Sequence, residues 1–363
     1  MALPGAQAWY AIDLRHVARR RERRYSMVCS KLGHKEILGL AMSFRQMSFR
    51  QIWVFAAIAV SAAASGSEFA LDPHTEVVGE VQTIVAVHED TFVRLARRYD
   101  VGYEELLQAN PGVDAWLPGA GTEIIIPTQF VLPRAQRRGI VVNVPELRLY
   151  YFPEGGDRVI THPISIGKMD WATPLGRTTV VAKAVDPAWY PPDSVREEHA
   201  ARNDILPRVV PPGPENPLGH RAMRLGIPGY LIHGTNKPAG LGMRVTHGCI
   251  RMFPEDVEAL FEMVSVGTVV TLVNQPYKLG WGDDGLYLEA HRPLNEDVES
   301  GEWTATELTR IFVAATQERQ TNNMNWRDAE SVMQDSLGVP KFVSLERVPM
   351  FNAPLSADAS LGE

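Results

Sequence analysis

The chain has 363 residues, of which 45% are hydrophobic and 22% charged, which is enough for more than one buried core and excludes an intrinsically disordered protein. The formal net charge is -7, yet residues 1–46 hold nine lysines and arginines against three acidic residues. The rest of the chain is therefore strongly acidic, which argues against a nucleic-acid partner.

A short apolar stretch follows the basic start. Residues 51–64 read QIWVFAAIAVSAAA, and Arg45 and Arg50 precede them. This is the pattern of a secretory signal peptide, because about 13 apolar residues fall short of the roughly 20 that span a bilayer. We assign residues 47–70 to a signal peptide that is cleaved between Ala64 and Leu71. A buried helix or an uncleaved anchor is the alternative.

Residues 1–46 precede this signal peptide, although such a segment normally begins a chain. The sequence MSFRQ occurs at residues 42–46 and again at 47–51. We interpret residues 1–46 as a start-site artefact or an extension, with translation beginning at one of these two methionines. The basic run at 19–24 then has no role. The alternative interpretation of this run is a nucleic-acid-binding patch.

The chain has two cysteines, Cys29 and Cys249. Cys29 precedes the signal peptide, so Cys249 becomes the sole thiol of the exported chain. A lone free cysteine is a chemical liability in an oxidising compartment, and its presence there suggests use.

Residues 81–128 predict a strand, two helices and a second strand. Apolar residues alternate in VQTIVAVHED and then recur at helical spacing from Phe92 to Tyr99, with Thr91 as the N-cap. The segment resembles a LysM module in Asp90–Phe92, Leu95-Ala96, Asn110-Pro111, Pro118-Gly119 and Ile126-Pro127. LysM modules bind the N-acetylglucosamine backbone of peptidoglycan, so the resemblance implies a glycan partner. The alternative is a small unit with a structural role.

The middle of the chain predicts a mainly β domain. Residues 129–138 look like a linker, and β-branched and aromatic segments with Gly and Pro at their joints follow over 139–274. The proline-rich stretch at 191–219 predicts a loop or lid, and one helix begins at Pro254. Residues 275–363 predict a strand pair and two helices, over 303–318 and 326–336, as a helical C-terminal extension with no assigned chemistry.

The segment from Tyr230 to Met252, YLIHGTNKPAGLGMRVTHGCIRM, contains the residues suited to nucleophilic catalysis. His233 ends an apolar strand, and Cys249 sits in a turn before the helix. A nearby imidazole can take the thiol proton, while Arg251 and the helix N-terminus favour the thiolate. Gly248 permits a tight turn that exposes the sulfur and lets a backbone N–H face an oxyanion.

This segment resembles the YkuD-type L,D-transpeptidase signature, a histidine followed after a spacer by Thr246-His247-Gly248-Cys249-Ile250-Arg251. Thr173–Gly176 matches the TPxG turn of that family. With the LysM-like unit, most of the exported chain looks like the ErfK/YbiS group of periplasmic enzymes. The resemblance implies a β-sandwich catalytic domain over residues 139–274, a periplasmic location and no cofactor or metal.

The resemblance also implies a role for each matched position. Cys249 would attack the carbonyl of the third stem residue, meso-diaminopimelate, and expel D-alanine, with His233 as the base. Roles for the remaining positions follow from the same match: Gly234 would orient His233, His247 and Gly248 would shape the oxyanion site, and Arg251 and Thr246 would bind substrate. His247 could instead be structural, and Arg251 could be a plain surface residue.

The acyl acceptor stays open. Members of the group link diaminopimelate to diaminopimelate, attach an outer-membrane lipoprotein through its terminal lysine, or exchange or trim D-alanine. A periplasmic thiol reductase is a further expected partner, because an exposed thiolate is readily oxidised and no second cysteine could trap the sulfenic acid. Two alternatives are a zinc-dependent hydrolase using His233, His247 and Cys249 as ligands, and a non-catalytic peptidoglycan-binding protein.

Overall fold

The computed structural model describes residues 66–168, 173–300, 305–317 and 324–347. Residues 1–46, Cys29 and all but the last few residues of the predicted signal peptide lie outside them. Across the described segments, no helix is both long enough and apolar enough to cross a membrane.

The strands, in chain order, are β1 (Ser67–Ala70), β2 (Val77–Gly79), β3 (Gln82–Val85), β4 (Glu123–Ile126), β5 (Gln129–Val131), β6 (Gly139–Asn143), β7 (Arg148–Phe152), β8 (Arg158–Pro163), β9 (Ile166–Gly167), β10 (Gly176–Val185), β11 (Arg221–Leu225), β12 (Leu231–His233), β13 (Arg244–Thr246), β14 (Ile250–Arg251), β15 (Val269–Val273), β16 (Tyr277–Gly282), β17 (Gly285–Ala290) and β18 (Lys341–Phe342). The helices are α1 (Phe92–Tyr99), α2 (Tyr103–Ala109), α3 (Asp193–Ala200), α4 (Pro254–Met263), α5 (Asn295–Ser300), α6 (Ala305–Thr316) and α7 (Trp326–Asp335).

One nine-stranded sheet forms the main domain, in the order β1-β8-β7-β6-β15-β10-β11-β12-β14. Side chains from strands far apart in this order, such as Ile160 of β8 and Ile250 of β14, share one hydrophobic core with Leu260 of α4. The sheet therefore curls around its core. The β-sandwich expected from the resemblance is in this chain a single curled sheet.

β1 adds to one edge of this sheet by antiparallel pairing with β8. It occupies residues 67–70, which the sequence assigned to the signal peptide. The signal peptide, with cleavage between Ala64 and Leu71, stays a prediction; cleavage before Ser67 would leave β1 whole.

The predicted βααβ arrangement is present between residues 82 and 126. β3 pairs with β4, and α1 and α2 lie between them in the chain. The hydroxyl of Thr91 accepts a hydrogen bond from the backbone N–H of Arg94 at 3.2 Å, as expected of an N-cap. Phe92, Leu95 and Leu106 are fully buried in the core of this unit.

The segment predicted as a linker is packed rather than free. β5 (129–131) pairs with β2, and Phe130 and Val131 are buried. The backbone N–H of Val131 donates to the carboxylate of Glu289 at 2.6 Å. Residues 129–131 therefore contact both β2 and, through Glu289, β17 of the C-terminal extension.

The C-terminal extension is not purely helical. β16, β17 and β18 form a three-stranded sheet, and α6 and α7 lie close to the two predicted helical stretches. These elements share a second core that includes Leu286, Leu288 and Leu308. The proline-rich stretch also departs from expectation, since it contains α3.

Candidate active site

His233 and Cys249 are brought together by two neighbouring parallel strands. β12 ends at His233, whose Cα is paired with that of Arg251 on β14, and Cys249 directly precedes β14. Because paired residues of neighbouring strands face the same side of a sheet, the side chains of Arg251 and His233 are directed to one side, and Cys249 lies one residue before β14. The loop between β12 and β14 thus brings the chain back beside the strand from which it left.

The His233 ring is fixed by the next residue. Its Nδ1 lies 2.6 Å from the carbonyl oxygen of Gly234. A carbonyl only accepts hydrogen bonds, so Nδ1 carries the proton and Nε2 is the basic atom. Burial, and then the charge of Arg251, lower the pKa of His233 to about 3, which leaves the imidazole neutral at physiological pH.

The Cys249 thiol is held in a partly exposed position. Its Sγ lies 3.5 Å from the carbonyl oxygen of Gly229. Burial raises the pKa of Cys249, against smaller lowering effects from the Leu231 amide and the charge of Arg251. The sequence predicted that Arg251 favours the thiolate, and its charge does lower the pKa of Cys249. Desolvation outweighs this effect, so the pKa of the thiol is raised overall.

Two threonines hold the turn around the thiol. Gly248 has φ of 100°, a conformation that favours glycine. Its carbonyl accepts from the hydroxyl of Thr173 at 3.0 Å, and the carbonyl of Cys249 accepts from the hydroxyl of Thr246 at 2.6 Å. Thr246 is buried and its hydroxyl donates within the turn; its role in substrate binding stays a prediction.

Arg251 supplies the positive charge of the site. Its backbone N–H and carbonyl both bond to Ser165 at 2.8 Å, which fixes the start of its side chain. Burial lowers the pKa of Arg251, and its Nε makes no hydrogen bond to any residue that the structure describes. A half-buried guanidinium whose Nε has unused donor capacity is suited to a carboxylate.

His247 points to a contact that sequence reasoning missed. Its Nε2 lies 2.8 Å from one oxygen of Glu198 on α3, and the Nζ of Lys168 lies 2.6 Å from the other. These hydrogen bonds lower the pKa of Glu198 to about 2, so the carboxylate stays charged. Glu198 thus links α3, which lies in the predicted lid, to His247, two residues before Cys249.

The βααβ unit supports the loop that connects His233 to Cys249. The backbone N–H groups of Tyr103 and Glu104, at the start of α2, donate to the carbonyls of Leu241 and Gly242, both at 3.2 Å. From the other side, the hydroxyl of Ser165 accepts from the N–H of Gly242 at 3.1 Å. The loop is therefore held between two separate elements.

A buried ion pair anchors that unit to the main sheet. The carboxylate of Glu105 on α2 binds Arg148 of β7 in a bidentate manner, at 2.9 and 2.6 Å. Arg148 is fully buried, and its guanidinium lies 4.2 Å from the ring centroid of Phe130. Removing one member of such a pair costs about 3–5 kcal/mol, because the other charge is left buried alone.

The zinc-hydrolase alternative finds no support in the geometry. Within the described part of the chain, His233, His247 and Cys249 do not bring ligand atoms together in one group. His233 uses Nδ1 on Gly234, and His247 uses Nε2 on Glu198.

Comparison with known proteins places the site within a recognised domain. The L,D-transpeptidase catalytic domain matches residues 137–272. Probable L,D-transpeptidase YcfS of Escherichia coli K12 is 43% identical over 251 residues, covering 67% of this chain and 78% of that protein. Probable L,D-transpeptidase ErfK/SrfK of the same organism is 37% identical over 308 residues, covering 82% of this chain and 97% of that protein.

Among solved structures, the chain matches the catalytic domain of the Enterococcus faecium L,D-transpeptidase. It shares 24% sequence identity and has a TM-score of 0.30, covering 39% of this chain and all of that domain.

Proposed function

We propose, from the premise that this chain belongs to the L,D-transpeptidase family, that it is a cysteine acyltransferase acting on peptidoglycan stem peptides. The observation that carries the proposal is the pairing of β12 with β14. This pairing supports the proposal because it brings the strand that ends at His233 beside the strand that begins directly after Cys249, and the Nδ1 contact of His233 with Gly234 leaves Nε2 as the basic atom.

The first half-reaction forms a thioester at Cys249. His233 Nε2 removes the thiol proton as Sγ attacks the carbonyl carbon of meso-diaminopimelate, the third stem residue. The carbonyl oxygen becomes an oxyanion beside the turn at 247–248. The C–N bond to D-alanine then breaks, and the imidazolium returns its proton to the departing amine. A neutral resting pair suits this sequence, because the charges develop only as the bond forms.

The second half-reaction transfers the acyl group to an amine. His233 Nε2 takes a proton from the acceptor amine, which attacks the thioester carbonyl and releases the Cys249 thiolate. The imidazolium then protonates the sulfur. The acceptor is a second diaminopimelate, the lysine of an outer-membrane lipoprotein or a D-amino acid; water in its place gives hydrolysis.

Arg251 is the proposed substrate anchor. The stem peptide carries carboxylates, and Arg251 is a half-buried cation whose Nε has no hydrogen-bond partner among the described residues. It lies close enough to shift the pKa values of both His233 and Cys249. In the bound complex a substrate carboxylate would pair with it and reduce its effect on the histidine.

The βααβ unit is the proposed glycan-binding module, and the protein acts in the periplasm. The resemblance of residues 81–128 to LysM modules supports the first point. The family and the apolar stretch at 51–64 support the second. A periplasmic thiol reductase remains a proposed partner.

The test is mass spectrometry of the products formed from tetrapeptide stems, with and without a lysine-ended lipoprotein peptide. We expect loss of D-alanine, an acyl-enzyme adduct on Cys249 and one dominant acceptor. Cys249→Ala should form no adduct while keeping the thermal unfolding midpoint. Normal turnover by that variant would reject the cysteine mechanism, and a metal-dependent product would favour a hydrolase. No product from any donor, with intact sacculus binding, would favour a non-catalytic binding protein.

A further inference from the structure

A second group of ionisable side chains lies apart from the Cys249 site. Asp100 follows the last residue of α1, His162 lies on β8, and Asp256 lies in the first turn of α4. One ligand atom from each residue lies within 4.8 Å of the others. His162 is fully buried and Asp256 is 2% exposed. Three distant parts of the chain thus converge on one small volume.

Most polar atoms of this group lack a hydrogen bond. Neither ring nitrogen of His162 has a hydrogen-bond partner among the described residues, and neither does Asp100 Oδ1 or Asp256 Oδ2. The other oxygen of Asp100 accepts from the backbone N–H and the hydroxyl of Ser67, at 2.8 and 3.2 Å. Leaving one buried polar atom unsatisfied costs about 1–3 kcal/mol. Four such atoms together point to a ligand that satisfies them all.

A similar cluster in the same protein contains its own cation. Glu146, Glu289 and His291 also bring ligand atoms together, but the Nζ of Lys278 lies 2.8 and 2.9 Å from the two carboxylates. Among the residues that the structure describes, no lysine or arginine forms an ion pair with the carboxylates of the first group, and Arg148 reaches Asp100 only at its backbone carbonyl, at 3.3 Å. The arginines nearest to it bind other carboxylates: Arg148 binds Glu105 at 2.6 Å and Arg97 binds Glu255 at 2.8 Å.

The spacing suits two ligands of one ion better than a hydrogen bond. His162 Nδ1 lies 3.5 Å from Asp256 Oδ1, beyond the usual N–H···O distance of about 2.9 Å. Two ligands of a tetrahedral ion with bonds of about 2.0–2.1 Å are roughly 3.4 Å apart. An imidazole with two carboxylates is a donor set that zinc accepts, whereas calcium and magnesium prefer oxygen alone.

We propose that Asp100, His162 and Asp256 form a structural site for a divalent cation, with zinc as the ion that fits best. The two carboxylates balance its charge, and a water molecule completes the tetrahedron. The site joins the βααβ unit to β8 and α4, and Ser67 of β1 holds Asp100 in place. Its role is to fix these elements together, independently of the chemistry at Cys249.

The metal-free alternative is a proton shared between the two carboxyl groups. Burial, and then the charge of Asp256, raise the pKa of Asp100 to about 7. Burial with the charge of Glu255 raises the pKa of Asp256 to about 7, against a smaller lowering effect of a side-chain hydrogen bond with Asp100. A shared proton would satisfy two oxygens but leave His162 without a partner.

The experiment measures metal content in the full chain carrying Cys249→Ser, which removes the only described thiol. After loading with zinc and dialysis against metal-free buffer, we expect one zinc per chain and a lower unfolding midpoint on chelation. His162→Phe and Asp256→Asn should each lose the zinc. His220→Ala changes an exposed histidine that pairs with Asp186 and should retain it.

Cobalt loading of the Cys249→Ser protein gives a readout that needs no core variant. We expect the visible absorption bands of a tetrahedral ion with nitrogen and oxygen ligands, removed by added zinc. Absence of retained metal, together with an unfolding midpoint that chelator does not move, would overturn the proposal and leave the shared proton. Zinc retained at full level by His162→Phe would overturn it as well. None of these readouts depends on transpeptidase activity.

Discussion

Gly102 and Gly242 are in direct backbone contact. A Cβ on Gly242 would lie 2.4 Å from the Cα of Gly102, and a Cβ on Gly102 would lie 3.1 Å from the Cα of Gly242. This contact lets the start of α2 approach the loop between His233 and Cys249 closely enough to donate two hydrogen bonds. The βααβ unit therefore takes part in shaping the active site.

Gly242→Ala should impair catalysis more than stability. The added methyl group displaces the loop, and Gly242 also has φ of 83°, which alanine rarely adopts. A displacement of about 1 Å at reacting groups can lower a rate about 100-fold. We expect kcat to fall on the order of ten- to a hundredfold, measured with soluble stems alongside the unfolding midpoint. Gly240→Ala is the matched control, because a Cβ there has open space. Equal effects of both substitutions would argue against the contact.

The acidic limb of the pH profile should lie well below the ordinary histidine range. The pKa of His233 is lowered to about 3, so the base stays unprotonated between pH 7 and pH 5. The acylation rate should fall only near pH 3–4. Arg251→Gln removes a charge that lowers this pKa and should move the limb upward. A midpoint near 6.5 in the unmodified enzyme would contradict the prediction.

The same shift has a consequence for folding. The unfolded chain binds a proton on His233 near pH 6.5, whereas the folded protein binds it near pH 3. Its contribution to stability is therefore fully present above pH 6.5 and is lost as the pH falls from there through about 3. Denaturant unfolding of the protein and of His233→Phe across this window measures the difference, which should shrink toward low pH.

The Cys249 thiol of the free enzyme should react slowly at neutral pH. Burial raises its pKa, so the rate of carbamidomethylation by iodoacetamide should still be rising at pH 9 instead of reaching a plateau. Peroxide should oxidise it slowly for the same reason, which makes dependence on a thiol reductase weaker than the sequence suggested. Intact-protein mass spectrometry follows the labelling, with free N-acetylcysteine as the reference. A plateau below pH 7 would contradict the raised pKa and show that Cys249 is an activated thiolate.

Glu198→Gln should loosen the cover over the active site. The substitution weakens the contacts to His247, Lys168 and Arg202 without leaving a buried charge. We expect severalfold faster iodoacetamide labelling of Cys249 and a higher KM, with little change in the unfolding midpoint. Glu197→Gln, on the same helix, makes none of these contacts and serves as the control. Unchanged labelling would show that α3 does not restrict access.

Glycan binding is best tested by surface variants, because deleting residues 81–128 would remove Glu105 and leave the buried Arg148 without its partner. Trp116 and Leu117 are 65% and 73% exposed on the βααβ unit. Trp116→Ala should reduce sedimentation with peptidoglycan sacculi severalfold while the turnover of soluble stems persists. Leu345→Ala removes a similarly exposed residue, 64% accessible, from the C-terminal extension. Equal sedimentation of the two variants would refute glycan binding at this surface.

The sequence revealed the parts of the site that are local in the chain. His233, Gly234 and Cys249 lie within one short segment, so the resemblance of that segment to a known signature was enough to predict them as one site. Glu198 could not be found in this way, because it lies 49 residues from His247 and within a stretch read as a loop. The Glu105–Arg148 pair spans 43 residues and joins two predicted domains.

The net direction of the Cys249 pKa shift could not be predicted for a related reason. Charged neighbours such as Arg251 can be read from the sequence, whereas burial depends on which distant strands cover the thiol. The curled sheet was likewise beyond reach, since the β-strand pattern does not say where one sheet ends.

The contacts between the βααβ unit and the main sheet fix the distance between that unit and Cys249. If this unit grips a glycan strand as proposed, then the Glu105–Arg148 pair and the contact at Gly242 hold Cys249 at a constant offset from that strand. Stem peptides leave a glycan strand in different directions, and only those pointing along this offset could be acylated in one binding event. The enzyme would then install its bonds at regular intervals along the strand, so the fold itself would set the mesh of the network.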